Sequence, residues 1–239
     1  MDIRLIRCGQ SVTSGRHRVA PADSGLLRNT ELFRDLDPDL LERLFRQATQ
    51  RRIHRGDVLF NEGEEADELF VVSTGRIAIA NRSADGRESV IALMESGDLF
   101  GEMPLFDGMG RSAEARALTT AEVVALPYDP IRTLYDEHPR LLWEVVDLLA
   151  RRLRVADEAL ADSVFLDVTG RTAKRLLEMA GDADEFVLPV TQEELAGMVG
   201  ASRERVNKAI ASFIRLGWIE QGDRKYLITD REQLANRSR

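Results

Sequence analysis

Residues 100–113, FGEMPLFDGMGRSA, bring an acid and a base together in a glycine-rich segment. The guanidinium of Arg111 offers a fork of N–H donors that suits phosphate oxygens, and the carboxylate of Glu102 can accept a hydrogen bond from a hydroxyl. Backbone N–H groups near Gly101 can supply further donors to an anion. Two interpretations stay open on these residues alone: both side chains contact a bound molecule, or both lie on a tight loop and face water.

A second group of residues suited to binding lies in TQEELAGMVGASRERVNKAI, residues 191–210. Thr191 is followed three residues later by Glu194, a capping-box pattern that predicts the start of a helix. Gly200 predicts the end of that helix, and Ser202 predicts the cap of the next one. Two short helices joined by a glycine-containing turn indicate a helix-turn-helix unit, with a generic helical hairpin as the alternative.

The second of these helices, expected from Arg203 to about Leu216, has a basic start and an apolar face. Arg205 and Lys208 lie near its start together with Arg203, whereas Val206 belongs to the apolar side. Because basic side chains bind phosphates and base edges, this pattern favours a DNA-binding helix over a generic hairpin.

The segment GWIEQGDRKYLITD, residues 217–230, follows this helix. Its alternation predicts a β-hairpin with Gly222-Asp223 at the turn. Such a hairpin can act as a wing against the phosphate backbone of DNA.

Composition and charge agree with a two-domain globular protein. The chain has 239 residues, of which 44% are hydrophobic and 31% charged. Its net charge of −8 argues against indiscriminate binding to nucleic acid. Residues 186–239 contain nine Lys or Arg and seven Asp or Glu and so carry +2, which leaves −10 on residues 1–185. Positive charge is therefore concentrated in the part that contains the expected helix-turn-helix.

Several kinds of site and location are excluded by what the sequence lacks. Cys8 is the single cysteine, so neither a disulfide within the chain nor a metal site built on several thiolates is possible. No segment approaches the ~18 consecutive apolar residues of a membrane helix, and the N-terminus has no apolar signal core, so we expect a cytoplasmic protein with no membrane partner. The histidines, His17, His54 and His138, are scattered. We therefore expect neither a metal nor an enzyme active site.

The segment 100–113 lies within a series of predicted strands. Short apolar or alternating segments between residues 53 and 129 are separated by glycines and predict a compact antiparallel barrel or sandwich. Asp85-Gly86 is a typical hairpin turn between two of them. The glycine-rich segment is thus expected on a β scaffold.

The N-terminal part of the chain has weaker signals. Residues 1–25 show no sustained periodicity and are expected to form a flexible arm. Pro38 after Asp37 then predicts a short helix before the first strand of the barrel.

A long helical pattern follows Pro130 and continues to about residue 163. Its apolar side chains recur at alternating spacings of four and three residues: Leu142, Val146, Leu149, Leu153, Ala156 and Leu160. This alternation is typical of a coiled-coil seam, which one helix cannot bury alone. We expect the helix to pair with its twin in a parallel homodimer while a flank with Val145 and Leu148 packs on the barrel. The alternative is a core helix that lies only on its own barrel.

The order of these parts resembles the transcription regulators of the cyclic-AMP receptor protein and FNR (CRP/FNR) family, in particular the actinobacterial branch. GEEADELFVVSTGRIAI is similar to the family's barrel signature, FGEMPLFDGMGRSA to its phosphate-binding cassette, and VTQEELAGMVGASRERVNKAI to its helix-turn-helix. VTGR after the long helix fits as well. The resemblance runs from about residue 26 to the end.

The resemblance implies an α+β fold in four parts. A flexible arm at 1–25 precedes a jelly-roll β-barrel domain of the cyclic-nucleotide-binding type at 26–130. A dimerisation helix at 131–165 then leads to a winged helix-turn-helix DNA-binding domain at 166–239.

The resemblance also implies an effector site. In the family's cyclic-nucleotide binders the glycine-flanked acid accepts from the ribose 2′-hydroxyl, the arginine pairs with the cyclic phosphate, and the next serine assists; Glu102, Arg111 and Ser112 match these positions. The expected ligand-binding set is Gly101, Glu102, Met103, Arg111, Ser112, Ala156 and Asp157. Cyclic AMP is the expected effector, without a metal. When no ligand is bound, Glu102 and Arg111 could pair with each other.

The long helix departs from the family pattern at two positions. Cyclic-AMP sensors of the family contact the adenine amino group with a Thr followed by Ser or Asn, where this chain has Ala156 and Asp157. Ala156 has no hydrogen-bonding side chain, and the charge of Asp157 is costly in a buried seam unless it is solvated or paired. Another nucleotide-like ligand, or a segment kept only as structure, therefore stays open beside cyclic AMP.

For DNA, the resemblance places Arg203, Glu204 and Lys208 at base-reading positions, where Arg suits guanine and Glu suits cytosine. Thr191, Gln192 and Ser202 are expected to contact phosphates. The expected partners are a second copy of the chain, a palindromic duplex with half-sites resembling GTGA, and RNA polymerase. A ligand-gated regulator is the first hypothesis, a ligand-independent DNA binder of the same fold the second, and an enzyme acting on cyclic nucleotides the least favoured.

Overall fold

The computed structural model describes residues 17–18, 24–82, 88–222 and 225–239. The strands are β1 His17–Arg18, β2 Thr49–Ile53, β3 Val58–Phe60, β4 Glu68–Thr74, β5 Ile77–Arg82, β6 Glu88–Met94, β7 Leu99–Phe100, β8 Glu114–Ala117, β9 Ala121–Pro127, β10 Glu185–Val187, β11 Ile219–Gln221 and β12 Lys225–Ile228. The helices are α1 Ser24–Arg28, α2 Pro38–Phe45, α3 Met103–Asp107, α4 Tyr128–Glu137, α5 Leu142–Phe165, α6 Val168–Ala180, α7 Gln192–Val199, α8 Arg203–Arg215 and α9 Arg231–Arg237.

Two antiparallel sheets pack face to face in the N-terminal domain. The larger sheet has the strand order β1-β2-β9-β4-β7 and the smaller one β3-β8-β5-β6. The rings of Phe60, Phe70 and Phe100 lie in the core between them, with centroids 5.4 to 6.1 Å apart. The sheets are not closed, so the predicted β domain is confirmed as jelly-roll-like rather than as a closed barrel. The β5–β6 pairing is confirmed, while its Asp85-Gly86 turn lies outside the described residues.

Helices cover the outer face of the larger sheet. α1, α2, α4 and α5 share one apolar core with strands β4 and β9. α2 begins at Pro38, and the Asp37 side chain accepts a hydrogen bond from the Asp39 amide, which confirms the predicted start. Most of the arm expected at residues 1–25 lies outside the described residues. Within it, β1 pairs with β2, and α1 already begins at Ser24.

The long helical region is interrupted, which corrects the expectation of one continuous helix after Pro130. α4 ends, His138 leaves the helical conformation at φ −131° and ψ 68°, and α5 starts after one 3₁₀ turn. The cause is Pro139, which disfavours helical geometry in the preceding residue and has no amide hydrogen to donate. α5 then continues for 24 residues and buries Val145 and Leu148 in the core beside the larger sheet.

The C-terminal domain contains the expected helix-turn-helix. Thr191 and Glu194 form both hydrogen bonds of the capping box at the start of α7, and Gly200 ends it at φ 67°. Ser202 accepts from the Arg205 amide at the start of α8. β11 pairs with β12 as the predicted wing, whose turn is described only as far as residue 222, and β10 adds a third strand.

The C-terminal domain packs on the smaller sheet through α7. Met198 lies against an apolar cluster that includes Ala80, Val90 and Leu93. Arg76, just before β5, donates a hydrogen bond to the carbonyl of Pro189. These contacts hold the first helix of the helix-turn-helix beside the β domain.

Candidate functional site

A cavity of about 620 Å³ lies between the smaller sheet, the β7–α3 turn and the helices α5 and α6. It brings together most of the predicted ligand-binding residues: Gly101, Glu102, Met103, Arg111, Ser112 and Ala156. Asp157 is exposed on α5 and is not among the residues that line the cavity in the single chain.

The carboxylate of Glu102 is almost completely buried, with 1% of the residue exposed. Its Oε1 accepts a hydrogen bond from Arg152 Nη1 on α5, and Arg152 Nη2 donates to the carbonyl of Leu99 at 2.8 Å. The other carboxylate oxygen, Oε2, is buried and has no hydrogen-bond partner among the described residues. Burial raises the pKa of Glu102, and the charge of Arg152 opposes that shift.

Arg111 is buried on the same side of the cavity, with 5% exposed. Its Nη1 donates to the carbonyl of Gly101 at 2.8 Å and to the Tyr128 hydroxyl at 3.1 Å, and its Nη2 donates to the carbonyl of Glu68 at 2.8 Å. The guanidinium carbon lies 4.2 Å from the centre of the Phe60 ring, within the range of a cation–π contact. Burial lowers the pKa of Arg111. Arg111 and Glu102 do not pair with each other, because each has other partners.

Gly101, in the turn between β7 and α3, allows Glu102 and Arg111 to lie close to the same backbone carbonyl. Gly101 has φ +76°, a conformation that favours glycine, and a Cβ at this position would lie 2.7 Å from Arg111 Nη1. The carbonyl of Gly101 accepts from both Arg111 and the Tyr128 hydroxyl, the latter at 2.5 Å. Burial raises the pKa of Tyr128 to about 12, so this hydroxyl stays a donor at neutral pH.

Other lining residues of the cavity are more exposed than Glu102 and Arg111. Ser112 is exposed, and its hydroxyl donates to Met103 Sδ at 3.4 Å. Ala156 offers only a methyl group to the wall formed by α5. On the far side, Lys174 of α6 lines the cavity and pairs with Asp162 of α5 at 2.5 Å. The cavity therefore contacts both the β domain and the C-terminal domain.

Sequence reasoning missed Arg152 as a site residue. A signal was present, because Arg152 follows Val145 and Leu148 by seven and four residues and so continues the stripe of α5 that faces the β domain. A charge on an otherwise buried stripe indicates a partner in the interior. Tyr128 and Lys174 were also missed, and no local motif distinguishes them.

The residues expected to bind DNA divide into two groups. Arg203, Glu204 and Lys208 are exposed on the first turns of α8, and Lys208 Nζ pairs with Glu204 Oε1 at 2.7 Å. A hydrogen bond from Lys208 lowers the pKa of Glu204. Thr191 and Ser202 instead cap the starts of α7 and α8.

Gln192 is less accessible than the other predicted phosphate contacts. It is half-buried, and its amide nitrogen donates to the Tyr226 hydroxyl of β12 at 2.9 Å. The Gln192 side chain therefore ties the first turn of α7 to the wing.

One face of α5 is apolar and exposed. The predicted seam residues Leu142, Val146, Leu149, Leu153, Ala156 and Leu160 are all exposed in the single chain. Trp143, Val155, Val164 and Phe165 extend the exposed apolar surface. A contiguous surface of this kind marks an interaction site rather than ordinary scatter of apolar residues.

Across the ranges given above, we find no group of three or more His, Cys, Asp or Glu side chains arranged to hold a metal ion. Within the same ranges, no helix has the length and hydropathy required to cross a bilayer.

Two family models match the chain. Residues 50–138 match the model described as "Cyclic nucleotide-binding domain", and residues 170–237 match the "Crp-like helix-turn-helix domain". The first match contains the β7–α3 turn and Arg111, and the second contains α7 and α8. The cavity and the helix-turn-helix thus lie in the parts that the models recognise.

Relatives of known function are similar over most of the chain. The CRP-like cAMP-activated global transcriptional regulator of Mycobacterium tuberculosis H37Rv is 38% identical over 221 residues, which cover 90% of this chain and 99% of that protein. The cAMP-activated global transcriptional regulator CRP of Escherichia coli O157:H7 is 35% identical over 159 residues, 64% of this chain and 76% of that protein. A solved structure of the c-di-GMP responsive global regulator CLP from Xanthomonas campestris has a TM-score of 0.70 at 26% identity, covering 80% of this chain and 99% of that one.

Proposed function

The chain belongs to the CRP/FNR family of transcription regulators, which bind DNA and are not enzymes, and from this premise we propose that it is a homodimer whose affinity for a palindromic DNA site is controlled by cyclic AMP. The observation that carries the proposal is one cavity that contains a buried guanidinium and a buried carboxylate oxygen without a partner among the described residues. A ligand with both a phosphate and a hydroxyl satisfies both groups.

The carboxylate suits the sugar of a cyclic nucleotide. Glu102 Oε2 is buried and unpartnered within the described residues, so it costs free energy until a donor reaches it. A ribose 2′-hydroxyl is such a donor, and its hydrogen bond to an ionised carboxylate is of the stronger, charge-assisted kind. Arg152 holds the other oxygen and keeps the carboxylate oriented.

The guanidinium suits the cyclic phosphate. Both hydrogens of Arg111 Nη1 are used by Gly101 and Tyr128, and one of Nη2 is used by Glu68. Nε has no partner among the described residues, so the Nε–H and the second Nη2–H can form a two-donor edge. Such an edge matches two phosphate oxygens.

The exposed apolar face of α5 supports the homodimer. Leu142, Leu149 and Leu153 lie on that face with the spacing of a coiled-coil seam, and a second copy of α5 would bury them. The seam also brings Ala156, which lines the cavity, close to the partner helix. The ligand-binding cavity and the proposed dimer interface are therefore adjacent.

The exposed start of α8 supports sequence-specific DNA binding. Arg203 suits guanine and Glu204 suits cytosine, and each good pair contributes about 1–3 kcal/mol of discrimination. In the unbound protein Glu204 pairs with Lys208, so DNA must exchange that surface ion pair for base contacts. A two-fold dimer presents two such helices about one helical turn apart, which requires a palindromic site. At a promoter, RNA polymerase is the expected protein partner.

Gating requires that the ligand bind one arrangement of the dimer more tightly than another. We take residues 26–130 as the ligand-binding domain, 131–165 as the region that forms the dimer and 166–239 as the DNA-binding domain. The cavity touches α5 and α6, so a ligand there acts directly on the helices that connect these regions.

The first experiment is calorimetric titration of the purified protein with cyclic AMP, with cyclic GMP in parallel and Arg111→Ala as the matched variant. We expect saturable binding of cyclic AMP that the variant loses, and tighter binding to a GTGA-type palindrome when cyclic AMP is present. No heat at millimolar ligand, with the palindrome still bound, would refute cyclic AMP as the effector.

A regulator with a different or no ligand is the second candidate. Ala156 offers no hydrogen bond to an adenine, and most Arg111 donors are satisfied within the chain. The similar regulator CLP is described as responsive to c-di-GMP, so this fold accommodates other nucleotides. Titration with c-di-GMP beside cyclic AMP separates these cases.

A further inference from the structure

Arg152 and Asp157 lie on either side of two consecutive seam residues of α5, Leu153 and Ala156. If Leu153 and Ala156 face the partner helix, Arg152 immediately precedes the first of them and Asp157 immediately follows the second. These are the g and e positions of a heptad, and in a parallel coiled coil the g residue of one helix faces the e residue of the other. In an in-register parallel dimer, Arg152 of one chain therefore faces Asp157 of its partner.

Both side chains are able to form this contact. Asp157 is exposed, and it has neither a hydrogen bond nor an ion pair with any residue that the structure describes. Arg152 has 38% of its side chain exposed, and its contacts with Glu102 and Leu99 use two of its five N–H groups. Arg152 can thus hold Glu102 on one side and a second carboxylate on the other.

The other positions of the same kind along α5 carry no opposite charges. Val145 faces Ala150 and Ala159 faces Val164 in the equivalent pairs. The contact of Arg152 with Asp157 is therefore the one charge-complementary pair beside this seam. In an antiparallel pairing, g positions face g positions and e positions face e positions, so the complementarity is lost.

We propose, building on the homodimer proposed above, that Asp157 of each chain forms an ion pair with Arg152 of the partner chain. The partner helix then completes a network of three charged side chains: buried Glu102, Arg152 and the partner's Asp157. This network connects the carboxylate that binds the ligand to the second protomer. It also gives the charge of Asp157 the partner that a residue beside a dimer seam requires.

The test measures subunit exchange. Two preparations are labelled with donor and acceptor fluorophores at Cys8, the single cysteine, and mixed without ligand. We expect Asp157→Asn to speed exchange by about 3- to 10-fold, Asp157→Lys to speed it more, and Asp157→Glu to remain within about 2-fold of the unmodified protein. Glu158→Gln, which removes the neighbouring charge outside the seam, is the matched control and is expected to leave exchange unchanged.

The decisive comparison is the effect of Asp157→Asn in an Arg152→Gln background. If the two residues pair across the dimer, Asp157→Asn changes the rate of subunit exchange little in a protein that already carries Arg152→Gln. Equal effects in both backgrounds, or an Asp157→Asn protein that behaves like Glu158→Gln, would overturn the ion pair while the dimer stands. A chain that sediments as a monomer at all concentrations would instead overturn the homodimer itself, and the ion pair with it.

Discussion

Two buried charges of opposite sign lie in one cavity, and the protein satisfies them differently. Arg111 donates to two backbone carbonyls and a hydroxyl and lies on an aromatic ring, so its charge is largely compensated within the chain. Glu102 has Arg152 on one oxygen and no partner among the described residues on the other. Since a buried polar atom without a hydrogen bond is costly, a ligand can recover free energy at Glu102 Oε2 and at Arg111 Nε, which also has no partner among the described residues.

The titration of Glu102 predicts how ligand affinity depends on pH. Burial raises its pKa above 4.5, so the folded protein holds this proton at pH values where the unfolded chain has released it. The ionised form is the stronger acceptor for a ribose hydroxyl. Affinity for cyclic AMP should therefore fall as pH falls through the raised pKa, measured by calorimetry at a series of pH values.

The titration of Glu102 should also make the stability of the protein depend on pH. The Glu102→Gln variant, which cannot titrate at this position, is the control. The stabilisation that comes from protonated Glu102 is complete below 4.5 and is lost as pH rises through the raised pKa. Glu102→Gln should lack both this step in stability and the step in affinity. Identical pH profiles for the two proteins would show that another group titrates.

At the scale of elements, the turn between β7 and α3 has the tightest steric requirement at the site. An alanine Cβ at Gly101 would lie 2.7 Å from Arg111 Nη1, whereas one at Gly56, with φ +89°, has nothing within 4 Å. Both substitutions place a side chain in left-handed backbone, which costs about 1–2 kcal/mol. Only Gly101→Ala should also displace the guanidinium.

The pair of alanine variants separates these effects. We expect Gly101→Ala to lose more stability than Gly56→Ala in denaturant titrations, because it also disturbs the buried contacts of Arg111. Only Gly101→Ala should weaken cyclic AMP binding, by about tenfold or more, because one charge-assisted contact is worth about 1.5–3 kcal/mol. Equal ligand affinity in the two variants would mean that Arg111 adapts to the added methyl group.

The elements differ in how far sequence alone predicts them. The capping box at Thr191 and the αL cap at Gly200 are local hydrogen-bond patterns, so α7 and α8 are predictable to within about one residue. The break before α5 was readable from Pro139 but was obscured by apolar periodicity on both sides. The role of Arg152 depends on Glu102, which is 50 residues earlier in the chain. The stripe of α5 indicates that Arg152 has a partner in the interior, but no local pattern identifies that partner as Glu102.

At the scale of the whole molecule, the DNA-binding domain contacts the β domain through a small apolar cluster and a hydrogen bond from Arg76 to the Pro189 carbonyl. Met198 of α7 packs with Val90 and Leu93, while Lys174 of α6 pairs with Asp162 of α5. Few side chains hold this arrangement, so modest changes in free energy suffice to alter it.

A charge at Met198 should release this contact. Met198→Glu places a carboxylate in the apolar cluster and removes the burial of one methionine, worth roughly 1.5 kcal/mol, or about tenfold in a docking equilibrium. We expect faster amide hydrogen exchange in β6, which the substitution uncovers, and also in α7, because Met198 packs on the core of the DNA-binding domain as well. Leu216→Glu, which alters an exposed leucine of the same domain, is the control. Unchanged exchange in β6 would show that the domains are held by other contacts.

The junction between α5 and α6 depends on residues from the far end of the chain. Asp167 caps α6 through the Gly170 amide and also accepts from Arg237 of α9, 70 residues later. The backbone of Arg237 lies close to Gly170, where a Cβ would be 3.0 Å from the Arg237 carbonyl oxygen. During translation, α5 and the start of α6 leave the ribosome long before α9 is made. The joint between the ligand-binding and DNA-binding parts therefore stays incomplete in a nascent chain until α9 has been made and Arg237 can reach Asp167.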